Sequence, residues 1–139
     1  MFGRRRGANL VDTPQMDDFF DRLDHLNREQ LMALAAAWHS TTRPEHEQAW
    51  AAVRAVGDRT GLSREIVRVR DKAMAWSTRG SNSVPYYRVN DDEVWLQAKI
   101  GAGEAIVDAT LAIALGDRLD PATQDTLLGP WLRATEAVA

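Results

Sequence analysis

"IGAGEAIVDATLAIAL", residues 100–115, is the most apolar stretch of the sequence. It is shorter than the roughly 20 residues that a membrane-spanning helix needs, and it carries Glu104 and Asp108. A helix that is apolar on nearly every side is normally enclosed by the rest of its domain. The stretch therefore predicts a buried core helix.

Helical periodicity also fills the segments before this stretch. Thr13 followed by Pro14 is a typical helix start, and Asn27 with Gln30 three residues later is close to a capping box. Apolar residues then recur at helical spacing. They are Met16, Phe19, Phe20 and Leu23; Leu31, Leu34, Ala35 and Trp38; Ala49, Trp50, Val53, Val56 and Gly57; and Ile66, Val69, Ala73 and Trp76.

Glycine and proline predict where these helices end. We expect stops at Gly61 and Gly116, a new helix from Asp120-Pro121, and a break in it at Gly129-Pro130. Residues 77–92 form the one long irregular segment. It is either a loop followed by a helix that runs to about residue 115, which we favour, or a hairpin that pairs "VPYYRV" with "EVWLQAK".

These patterns predict an all-α fold, a single-domain bundle of about six helices over residues 14–139, preceded by a flexible basic arm at residues 1–13. The three consecutive arginines of the arm are not followed by an apolar run, so we expect no secretory signal. The chain has no cysteine, which is compatible with the cytoplasm. Its net charge of -3 disfavours general nucleic-acid binding, and we expect neither membrane association nor a cofactor.

The composition of the helices carries a resemblance to a known group. The Ala-, Arg- and Asp-rich helices, the "AWAAV" run and the closing "LDPATQDTLLGPW" resemble small uncharacterised all-helical proteins of actinobacteria. The resemblance implies a helical fold. It implies no activity and no functional residue, because that group carries no assigned activity.

Residues 53–72 match the spacing of a DNA-binding helix-turn-helix. Gly57, Gly61, Leu62 and Val67 stand where that motif requires a small residue, a turn glycine and two apolar residues. Three basic residues of the second helix would then face the DNA: Arg64, Arg68 and Lys72.

Two features weigh against this interpretation. No break separates Pro44 from residue 60, so the first helix would be too long for the motif, and Arg70 stands where an apolar core residue is expected. A plain helical hairpin is therefore favoured, with DNA binding as the alternative.

Glu104 and Asp108 are four residues apart on the apolar helix, and we expect both to be buried on one face. Pairing with arginines is favoured over a metal or small-ligand site, and the available arginines are Arg54, Arg68 and Arg70. A di-iron bundle needs Glu-x-x-His pairs, which the sequence lacks, so no metal site is predicted.

The histidines and tryptophans are expected to be structural. His39 and His46 flank the "STTRPE" turn, but two histidines are too few for zinc, and both are expected to be exposed near helix ends. Tryptophans at positions 38, 50, 76, 95 and 131 are expected to lie mainly in the core.

Aromatic residues and arginines cluster around the irregular segment. They are Arg79, Tyr86, Tyr87, Arg88 and Trp95, a combination typical of interface hot spots. The alternative is that the segment covers its own core. The sequence contains no recognisable catalytic centre, so it favours a cytoplasmic protein–protein interaction or scaffolding module, with a protein partner or a homodimer. A DNA-binding regulator is the first alternative, and a bundle that binds a metal or small ligand is the second.

Overall fold

The computed structural model describes the backbone of residues 10–83 and 93–138, with side chains for residues 10–75 except Arg28 and for residues 101–136. These residues form six α-helices and one short 3₁₀ turn, Gly116–Arg118, with no strand among them. The helices are α1 (Pro14–Leu23), α2 (Arg28–His39), α3 (Arg43–Thr60), α4 (Ser63–Ser83), α5 (Glu93–Leu115) and α6 (Pro121–Val138). The predicted all-α bundle is confirmed.

Local hydrogen bonds explain where the helices begin. The Thr13 side chain accepts from the backbone N–H of Met16, and Asn27 forms a full capping box with Gln30. A second capping box, between Thr42 and Glu45, begins α3. Each box satisfies backbone N–H groups that would otherwise lack an acceptor.

Gly61 ends α3 with a φ of 76°, in the left-handed region that glycine adopts without strain. Two helix ends depart from the sequence-based expectation. Helix α4 continues to Ser83, so residues 77–83 belong to a helix, and the hairpin alternative is wrong because α5 begins at Glu93.

Helix α6 does not break at Gly129-Pro130. Pro130 lies inside it and is fully buried. A proline in a helix loses one backbone hydrogen bond. Here Leu127 before the proline and Trp131 and Ala134 after it are all buried, so packing holds both halves of α6 in one helix.

Helix α5 lies at the centre, in contact with α1, α2, α4 and α6. Most of its described residues are buried, as predicted for residues 100–115. The core has two parts, one around Val53, Val69 and Leu111 and the other around Phe19, Leu34 and Ile106. Leu10 and Val11 pack into the first part, so residues 10–13 are not part of a solvated arm. Residues 1–9 lie outside the described residues.

Candidate functional site

A cleft with a volume of about 540 Å³ opens where α2 ends and α3 begins. Trp38 on α2 and Trp50 on α3 form its aromatic walls, and we call it the indole cleft. The rest of its lining is polar or charged: His39, Thr41, Arg43, His46, Glu47 and Arg54. Its volume lies within the range of roughly 300–1,000 Å³ that is typical of small-molecule sites.

The tight turn between α2 and α3 brings the ring systems of the cleft together. Ser40 and Thr41 close α2, and the capping box on Thr42 begins α3 at once. As a result the rings of Trp38 and His46 lie 4.7 Å apart, with 31° between their planes. Trp50 and Arg54 follow His46 at intervals of four residues, and so all three lie along one face of α3.

Asp108 lies behind the two indoles, on the central helix α5. Its residue is 1% exposed, and its Oδ2 accepts a 3.2 Å hydrogen bond from Trp38 Nε1. Burial raises the pKa of the Asp108 carboxyl to about 7, opposed by the Trp38 hydrogen bond, with smaller contributions from Glu104, which raises the pKa, and Trp50, which lowers it. The carboxyl therefore changes its protonation state near neutral pH.

His46 faces the same carboxyl. Its Nδ1 is 3.8 Å from Asp108 Oδ2, and its Nε2 is 3.4 Å from the backbone carbonyl oxygen of Trp38. The contact of Nε2 with the carbonyl oxygen is a hydrogen bond when Nε2 carries a hydrogen, because a carbonyl only accepts. The 3.8 Å between Nδ1 and Asp108 Oδ2 is too long for a hydrogen bond.

Two polar atoms of this pair have no hydrogen-bond partner among the described residues: Asp108 Oδ1 and His46 Nδ1. Unpaired buried polar atoms are costly, so their presence is a reason to look for a binding function. Within the described ranges, however, no three His, Asp or Glu residues are close enough together to hold a metal ion.

The prediction that both carboxylates of α5 are buried is correct for one of them. Asp108 is buried as expected, whereas Glu104, one turn earlier on the same helix, is exposed. The expected arginine partners are wrong, because the groups around Asp108 are the Trp38 and Trp50 indoles and His46. Because burial raises the pKa of Asp108 to about 7, a neutral carboxyl is accessible in the core without a buried cation beside it.

The expectation for the histidines and tryptophans is also only partly right. His39 is exposed, but His46 is not, since its side chain is 15% exposed and packed on Trp38. Of the described tryptophan side chains, Trp131 is buried in the core, whereas Trp38 and Trp50 are only partly buried and line the cleft. The apolar periodicity of α2 and α3 correctly placed Trp38 and Trp50 on the inward faces of these helices. It did not show that the two indoles border a cavity.

The side chains of the interface residues predicted from sequence all lie outside the described ones. Arg79 lies in α4 and Trp95 in α5, but their side chains are not described, and Tyr86, Tyr87 and Arg88 fall between the described ranges. Their role stays a prediction.

The DNA-binding alternative finds little geometric support. Helix α3 runs without interruption from Arg43 to Thr60. Arg64 is exposed, but Arg68 contacts Glu65 at 3.4 Å, and the Lys72 ammonium lies 5.0 Å from the ring centre of Phe20. Two of the three basic residues therefore already have partners within the chain.

Comparison with known proteins adds no assignment. No protein-family model, curated protein or solved structure matches the chain significantly. The resemblance to actinobacterial helical proteins stays a prediction. None of the described helices has the length and apolar character needed to cross a bilayer.

Proposed function

We propose that this protein binds a small, planar organic molecule in the indole cleft. One observation carries the proposal: the cleft is walled by the flat rings of Trp38, Trp50 and His46, and the rest of its lining is polar or charged. Ligand sites typically combine aromatic walls with a small number of placed polar groups. We propose the cytoplasm as the location, in keeping with the absence of cysteine.

Calorimetric titration with naphthamide, an uncharged planar probe, tests the proposal. We expect binding that Trp50→Leu abolishes, because leucine keeps an apolar contact with the core but removes the flat ring. Leu132→Ala on α6 is the matched control, since Leu132 is exposed and does not line the cleft. If neither naphthamide nor a charged naphthalene probe binds, or if naphthamide binds equally well to Trp50→Leu, the proposal is wrong.

A second proposal, a protein interaction module, is supported by exposed apolar residues on α4. Val67 is 45% exposed and Met74 52% exposed, two turns apart on the same helix face. We expect light scattering to report a homodimer for the wild type and a monomer for Val67→Lys with Met74→Lys. Leu132→Lys serves as the surface control, and Tyr86→Ala with Tyr87→Ala tests the contact predicted from sequence. A monomeric wild type would contradict the homodimer.

A further inference from the structure

We infer that the ligand of the indole cleft is a planar aromatic oxyanion, and that Arg54 and Arg70 bind its negative group. The inference rests on the proposed function and adds the chemical class of the ligand. It depends on the arginines next to the indole cleft, on a second cavity that adjoins it, and on the position of the carboxylates.

The charges along the α3 face of the cleft do not balance. Arg43 is paired, because its Nε lies 3.1 Å from Glu47 Oε2. Arg54 lies one turn beyond Trp50 and has no acidic partner at salt-bridge distance among the described residues. The lining of the cleft thus leaves one uncompensated arginine beside an indole wall, in a chain whose net charge is -3.

A second cavity, of about 310 Å³, shares Trp50 and Arg54 with the indole cleft. Arg70 of α4 borders it from the other side, and Arg70 Nε is buried without a hydrogen-bond partner among the described residues. Among the residues that the structure describes, two arginines and a single acid, Asp58, border this cavity. Guanidinium groups bind carboxylate and phosphate through paired N–H donors, so two arginines that border one cavity suit a negative group.

The two cavities together define the shape of the ligand. A ring lying against Trp50 in the indole cleft would place a substituent toward Arg54, which borders both cavities. The two arginines thus suit a negative group attached to a flat ring.

A cationic ligand is the competing class, because aromatic walls and a carboxylate also bind ammonium groups. In this protein, however, Asp108 is only 1% exposed and its Oδ2 already accepts the Trp38 N–H. Of the described residues, Arg54 is the charged one that borders both cavities, and it would repel an ammonium ion.

Calorimetry on the full chain at low salt distinguishes these classes with four probes: naphthoate, naphthyl phosphate, naphthamide and naphthylmethylammonium. We expect at least one of the two anions to bind about tenfold or more tightly than naphthamide, since charge-assisted hydrogen bonds are the stronger ones. Their ranking distinguishes a carboxylate ligand from a phosphate ligand. The ammonium probe should bind most weakly.

Arg54→Gln and Arg70→Gln should each remove most of the preference for the anion over naphthamide. Arg59→Gln is the control, because Arg59 is an exposed arginine on the same helix that borders neither cavity. If naphthamide binds through Trp50 as tightly as both anions, or if the ammonium probe binds best, the inference is wrong and the proposed function stands. If no probe binds, both fail.

Discussion

Trp38 and Asp108 are joined by a 3.2 Å hydrogen bond although they are 70 positions apart in the chain. The bond links the end of α2 to the middle of the central helix, and it passes directly behind the cleft to which we assign the function. It is therefore both a structural contact and the support for one wall of the candidate site.

Replacing Asp108 by asparagine should change how stability depends on pH. Burial raises the folded-state pKa of Asp108 to about 7, so between about pH 4 and pH 7 the folded protein holds a proton that the unfolded chain releases. The wild type therefore loses stability as pH rises through this window. Asp108→Asn keeps an oxygen to accept the Trp38 N–H but does not titrate. Its free energy of unfolding relative to the wild type should therefore increase by a few kcal/mol between about pH 4 and pH 8.

Urea unfolding of both proteins across this pH window measures the difference. Asp125→Asn, at an exposed position on α6, is the control and should show no such trend. A stability difference between Asp108→Asn and wild type that stays constant with pH would contradict the prediction.

Trp38→Phe should destabilise the protein at neutral pH. The change keeps an aromatic ring against His46 but removes the indole N–H that Asp108 Oδ2 accepts. We expect a loss of about 1–3 kcal/mol, the usual cost when a buried acceptor loses its donor. The cost should be smaller in the Asp108→Asn background, because a neutral acceptor forms a weaker bond. Equal costs in the two backgrounds would show that the bond does not depend on the charge of its acceptor, and no loss in the wild-type background would contradict the prediction.

Gly57→Ala should destabilise the α3–α4 hairpin despite the better helix propensity of alanine. A Cβ at position 57 would lie 2.7 Å from Ser63 Oγ and 3.2 Å from Ser63 Cα, so the two helices would have to move apart. We expect a loss of about 1–3 kcal/mol in thermal or urea unfolding. Adding Ser63→Ala should restore part of it, because the clash with the hydroxyl disappears while the backbone contact remains. No change in stability would mean that the helices adjust freely.

Gly61→Ala should cost about 1 kcal/mol for a different reason. No atom lies within 4 Å of a Cβ at this position, so space is available, but its φ of 76° is unfavourable for any residue with a side chain. Asparagine tolerates this region better, so Gly61→Asn should be milder and Gly61→Val more severe. If all three variants lose the same stability in urea, backbone strain at position 61 does not explain the loss.

The sequence by itself determined the helices and most of their ends. The caps at Thr13 and Asn27 and the stop at Gly61 act through hydrogen bonds and backbone angles within a few residues, so local patterns reveal them. It also indicated that a carboxylate at position 108 would be buried, because that position lies on an otherwise apolar helix.

Only the tertiary structure decided which groups meet at the site. Glu104 and Asp108 lie one turn apart on the same apolar helix. Glu104 is nevertheless exposed, whereas Asp108 is enclosed by Trp38, His46 and Trp50. Pro130 remained helical because long-range packing outweighed one lost hydrogen bond. Contacts between α2, α3 and α5 depend on how whole helices pack, and a periodic pattern shows which face is buried but not which residues cover it.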